Sequence, residues 1–313
     1  MSVRIVIQQM IIIFILIFTG VYLYKRKHLS NESSRQLSWL IVNITNPITL
    51  LCAALSEEQK VGAGEIGMAF LYFFALYAIL IPVSYLIPVL LKVDKGRRYA
   101  YHMLSIFGNV GFIGIPISSA VLGPSSLIYV SICGLTYNIL MYTYGVASLK
   151  RTAVIQHPGS EQTDGFSLKN AVNSGMVFAV ITIIVYLTDL SVPDVISGAL
   201  GYMANCTTFL SMIVLGVSVA QMIPEKVFTN RRLYVFVAVR QILVPVLLIY
   251  ILRPFITDEL TMRTVVVMAA MPSGNLPLMM AKQYKVEEDM ISAGIILTTL
   301  ASIITIPVVM YFL

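Results

Sequence analysis

The chain has 313 residues, 58% of them hydrophobic and 12% charged, with a mean hydropathy of +0.86 and a formal net charge of +6. The charged fraction is about half that of a soluble domain, which excludes a soluble enzyme or nucleic-acid-binding domain and assigns the basic excess to membrane topology. At roughly 20 residues per span, the length holds about ten helices with short connections and no sizeable soluble domain.

Apolar runs predict ten membrane helices, at about 5–24, 36–55, 65–91, 99–122, 124–148, 169–188, 194–220, 232–253, 262–283 and 289–312. The first, Ile5 to Tyr24, has no small-residue cleavage site and runs into Lys25-Arg26-Lys27, so a retained span is expected rather than a processed leader. Asn31-Glu32-Ser33 matches a glycosylation acceptor, but it falls on the side assigned below to the cytoplasm. The third helix opens on Glu65, a carboxylate at a helix start. His102 enters the fourth just after Arg97-Arg98-Tyr99, as an interfacial residue or a proton relay.

Inside that fourth segment lies Gly108-Asn109-Val110-Gly111-Phe112-Ile113-Gly114-Ile115-Pro116. Interior glycine costs a helix about 1 kcal/mol and proline about 3, so three glycines and a proline in nine residues predict an interruption. The polar stretch 149–168, with Gln156-His157-Pro158-Gly159-Ser160, is expected to link two halves. In the eighth segment Arg240 is the one cation that falls inside a span; it either meets a substrate carboxylate or snorkels to the nearby headgroups. The ninth is broken by Met271-Pro272-Ser273-Gly274-Asn275-Leu276-Pro277, which repeats the Gly-Asn pair of the fourth. Non-helical backbone survives at membrane depth only where protein or a water-filled cavity surrounds it, so the two interruptions predict one shared cavity.

Of the 21 Lys and Arg, sixteen fall in odd-numbered connections, four (Arg4, Lys60, Arg253 and Arg263) on the even side, and Arg240 within a span. The positive-inside rule then places the odd connections, with the middle link 149–168, in the cytoplasm and both termini outside. Helices 1–5 and 6–10 superpose at an offset near 165 residues, bringing Asn109 close to Asn275. Five helices per half make the second half enter from the opposite side. The expected fold is therefore all-α and integral to the membrane: one domain, 1–313, built from inverted repeats of about 1–148 and 169–313 with helices 4 and 9 broken at the midplane.

The Gly108-Asn109 to Pro116 segment, the run Met271 to Pro277 continuing through Ala281-Lys282-Gln283-Tyr284, and Asp289-Met290-Ile291-Ser292 to Thr305-Ile306-Pro307 resemble the auxin efflux carrier family. That family includes the plant PIN carriers and prokaryotic permeases for malate and malonate. The resemblance implies a fold like that of sodium/proton antiporters and bile-acid symporters. In it, helices 4 and 9 cross in a mobile transport domain beside a scaffold of helices 1, 2, 6 and 7. It also implies a homodimer through the scaffold and elevator-type movement in the plasma membrane. The family's crossover prolines map onto Pro116 and Pro277 and its crossover asparagine onto Asn109. Phe209 stands in a region of helix 7 where the family pattern has a proline.

Half-helix N-termini carry about half a positive charge and unpaired N–H groups, which suits carboxylates. Asn109 and Asn275 add donors without adding charge, each as substrate ligand or as cap of its own helix. No Asp or Glu lies in 105–120 or 268–282, which favours an anion over a cation-exchange site. The expected substrate-binding residues are thus Gly108, Asn109, Gly111, Ser273, Gly274, Asn275 and Arg240, with Ser118 and Ser119 as further hydroxyls. Gly114, Pro116, Pro272 and Pro277 are the expected crossover or hinge positions, and Glu65 and His102 the candidates for coupling to protons or sodium. Cys52, Cys133 and Cys206 lie in apolar runs without ligand spacing, so neither disulfide nor metal is expected, nor any other cofactor. The glycines lack the strand and spacing of a phosphate loop, and no catalytic constellation is present. The expected function is transport of small organic anions, the partners being that anion and membrane lipid. A membrane sensor that binds a carboxylate without net transport is the competing expectation.

Overall fold

Three of the four places where the described helices of this chain widen into a π turn lie just ahead of a proline. The computed structural model describes residues 3–56, 62–156, 174–188, 190, 192–221, 229–284, 286 and 289–313. They form α1 (Val3–Lys25), α2 (Asn31–Leu40), α3 (Asn46–Ser56), α4 (Ala63–Leu90), α5 (Arg98–Ile106), α6 (Ile115–Leu122), α7 (Ser126–Leu140), α8 (Val146–Gln156), α9 (Ser174–Thr188), α10 (Asp194–Ala220), α11 (Arg231–Ala238), α12 (Val244–Leu252), α13 (Glu259–Ala270), α14 (Leu276–Gln283) and α15 (Asp289–Tyr311). Four π-helical turns, Ile41–Thr45, Val110–Gly114, Met141–Gly145 and Val239–Leu243, lead into α3, α6, α8 and α12. Three of them end two residues before a proline: Pro47, Pro116 and Pro245. In each, the residue just ahead of the proline donates its N–H five residues back: Asn46 to Ile41, Ile115 to Val110, Val244 to Val239. A proline ring clashes with the carbonyl four residues before it, and the wider turn moves that carbonyl aside.

Seven described helices are long and apolar enough to cross a membrane, which makes this an α-helical, multi-pass membrane protein. The other three expected segments differ: the fourth and ninth are each broken in two, and the sixth is described only from Ser174. The second helix starts at Asn31 rather than 36, because the Ser30 hydroxyl accepts the Ser33 N–H and caps a polar first turn. The fifth continues to Gln156, eight residues past its expected end, since Lys150, Arg151 and Ala153 are good helix formers. The middle connection therefore begins as helix; the rest of it, with Lys60, Lys169, Lys226 and Lys285, lies outside the described residues. α10 runs unbroken through Phe209, as the absence of a proline there allows.

α1 packs along α10, and α3 against α9 and α10, so the first, second, sixth and seventh expected spans touch one another. Glycine makes the first contact close: a Cβ on Gly20 would lie 2.3 Å from the Ile213 carbonyl oxygen, and one on Gly216 2.1 Å from that of Ile17. The broken segments pack with α4, α7, α12 and α15, and the second half of the fourth also touches α1 and α10.

Candidate functional site

α5 ends where Phe107 leaves the helical region, and α13 ends at Met271 in the same way. The two chains then cross as extended strands: Asn109 N–H donates to the Pro272 carbonyl at 2.7 Å and Gly274 N–H to that of Phe107 at 2.8 Å. This one antiparallel bridge, Gly108 opposite Ser273, pairs backbone groups that both broken helices would otherwise leave bare in an apolar medium. The approach needs glycine, since a Cβ on Gly274 would sit 2.8 Å from the Gly108 carbonyl oxygen. Ser273 is absorbed by the joint: its N–H donates to the Thr298 hydroxyl at 3.1 Å and its hydroxyl to the Leu104 carbonyl at 2.8 Å.

On the N-terminal side of the crossing lies a cavity of about 400 Å³. Gly108, Asn109, Gly111, Gly274 and Asn275 line it together, as do Asn43, Asn46, Ser131, Tyr137 and Asn138 from the second and fifth expected spans. Its apolar wall includes Val42, Pro47, Leu50, Phe112, Ile115, Leu276 and Met279, and among the described residues none that lines it is charged. Asn109 is 4% exposed and divides its amide: Oδ1 accepts the Phe112 N–H at 3.1 Å, capping the next helix, while Nδ2 has no partner. Asn46 Oδ1 is likewise buried without a partner. A buried donor left without a partner, in a residue that lines a cavity, calls for an explanation, and a ligand is one. The second-span and fifth-span amides escaped the sequence reading, which weighed charges in spans; an Asn in an apolar run was the available signal.

Arg240 does not line the cavity. It is 2% exposed, its Nε donates to the Ser105 carbonyl and its Nη1 to the Ala269 carbonyl. Those are the penultimate residues of α5 and α13, so the guanidinium bonds the C-terminal ends of both half-helices, and neither it nor they line the cavity. It therefore neither snorkels nor reaches a ligand directly. The π turn Val239–Leu243 turns the adjacent Gln241 inward too, and its Nε2 donates to the Thr298 carbonyl at 3.0 Å.

The remaining expected residues lie elsewhere. Pro116 and Pro277 are buried near the starts of α6 and α14, and Pro272 contributes its carbonyl to the bridge. Gly114 faces Met268, 3.2 Å from where a Cβ would stand. Ser118 is buried and Ser119 half-buried in α6, and neither lines the cavity. Glu65 is exposed and accepts the Gly62 N–H at 3.2 Å, closing the first turn of α4, apart from the cavity. His102 is buried, with Nδ1 2.6 Å from the Ser84 hydroxyl and Nε2 2.8 Å from that of Tyr144, and it too is outside the cavity lining.

No curated protein matches the chain. The family described as membrane transport protein matches residues 5–310, nearly the whole chain, including both interrupted segments. The chain accordingly belongs to the auxin efflux carrier family of membrane transport proteins.

Proposed function

We propose that the chain is a secondary transporter of small organic anions that holds the substrate carboxylate at the crossing of its fourth and ninth segments. The observation that carries this is Asn109 Nδ2: a buried donor without a partner, at the N-terminal end of a broken helix, in a residue that lines a cavity to which no charged residue contributes among the described residues. The N-terminal helix ends supply about half a positive charge each, enough to attract a carboxylate and weak enough to release it. The mainly apolar far wall favours a carboxylate with an apolar body, of the indole-acid kind, over a compact dicarboxylate such as malate or malonate.

In the same proposal the chain forms ten spans as two inverted repeats. The mutual packing of α1, α3, α9 and α10 supports their role as a scaffold past which the crossing moves in elevator fashion, with dimerisation through that scaffold. Both termini would face outward and the middle connection the cytoplasm, in the plasma membrane.

Counterflow tests the reading. Proteoliposomes loaded with an unlabelled carboxylate should accumulate the labelled one transiently. Binding of the carboxylate without any counterflow would make the protein a carboxylate sensor, and no binding to any carboxylate would remove the anion site.

A further inference from the structure

Two helices end at the crossing and two begin there. With about half a negative charge at each C-terminal end and half a positive at each N-terminal end, the four ends sum to zero. The two C-terminal ends therefore oppose the attraction that the two N-terminal ends exert on an anion. Arg240 removes that balance. Its single buried positive charge lies on the carbonyls of Ser105 and Ala269, one from each C-terminal end, and among the described residues no carboxylate pairs with it. The cavity is lined by Asn109, Gly111, Asn275 and Leu276 from the N-terminal ends, and neither Ser105 nor Ala269 reaches it.

We infer that Arg240 is the residue that makes this site selective for anions, without touching the anion. It cancels the two negative helix ends, so that the two positive ends act on the ligand unopposed. Arg240 is on this view a positioning and specificity residue, and the inference rests on the carboxylate site proposed above.

The test is equilibrium binding of two probes, indole-3-acetate and malonate, to purified wild type, Arg240→Gln and Arg240→Lys. Charge acting through space weakens binding in proportion to ligand charge. Arg240→Gln should lose about tenfold for the monoanion and about a hundredfold for the dianion, while Arg240→Lys keeps both within about threefold. Gln241→Glu, which sets a carboxylate one residue from the guanidinium and keeps the bonds of Arg240 to Ser105 and Ala269 while giving up the Gln241–Thr298 bond, should lose binding in the same pattern and serves if Arg240→Gln does not fold. Equal losses for the two probes, or a Lys variant as weak as the Gln variant, would overturn the inference and leave Arg240 a structural tie. If only one probe binds the wild type, the Gln and Lys variants decide on that probe alone. Wild-type protein that binds neither probe sinks the carboxylate site itself, a separate failure.

Discussion

At the scale of single residues, the site depends on how one amide is divided. Asn109 uses its oxygen to start a helix and leaves its buried nitrogen without a partner among the described residues, so the cap weighed from the sequence is present and the proposed binding role falls to the other atom. Asn109→Ala removes both, and carboxylate binding should fall about tenfold or more, since a hydrogen bond to a charged group is worth roughly 1.5–3 kcal/mol. Asn109→Asp separates them: the cap survives, the donor becomes an anion, and binding should vanish while thermal stability holds. Isothermal titration and an unfolding curve read the two; an Asp variant that still binds carboxylate would place the anion away from this atom. Gly274→Ala should fail differently, because the methyl meets backbone at 2.8 Å and neither strand of the crossing can yield. A drop in unfolding temperature with the overpacking cost of about 1–3 kcal/mol is expected. Asn109, Asn275 and the glycines were legible because polar residues are rare at membrane depth and glycines clustered with a proline weaken a helix more than either does alone. Arg240 was visible as a charge in a span, but its partners are carbonyls of other segments, and a carbonyl has no letter in a sequence.

At the scale of elements, the two breaks were readable from Gly and Pro clusters, and the π turns were not. A π turn adds one residue to one turn, which a 3.6-residue hydrophobic pattern absorbs unnoticed. Its trace is the proline two residues beyond the turn, and Pro82 and Pro88, inside unbroken α4, show that proline alone does not specify it. The turn at Val239–Leu243 matters most, since it brings the neighbouring residues Arg240 and Gln241 inward together. Pro245→Ala restores an N–H and lets this turn relax to an α-helix, rotating Arg240 by about 100° away from Ser105 and Ala269. The expected result is a loss of carboxylate affinity similar to that of Arg240→Gln with no polar side chain removed. Unchanged affinity in Pro245→Ala would mean that packing, rather than the proline, holds the turn.

At the scale of the whole molecule, apolar run lengths located the helices within a few residues, and misplaced ends fell where a cap (Ser30) or helix-forming charged residues (Lys150, Arg151) outweighed the hydropathy signal. Orientation rests on the basic residues alone. In a background with Cys52, Cys133 and Cys206 replaced by alanine, a cysteine at Gln156 should resist an impermeant maleimide in intact cells and one at Leu313 should react; the opposite pattern would invert the assignment. The cavity at the crossing is what joins fold to function. Gly134 lines it, and a Cβ there meets no atom within 4 Å, so Gly134→Cys in the same background is the substitution expected to set a thiol at the cavity with least disturbance. The most direct measurement is the alkylation rate of that thiol in detergent against carboxylate concentration. Protection that saturates over the same concentrations as counterflow, and is absent with the corresponding amide, is the expected result. An alkylation rate that stays constant at concentrations saturating transport would show that the anion is carried without entering the crossing.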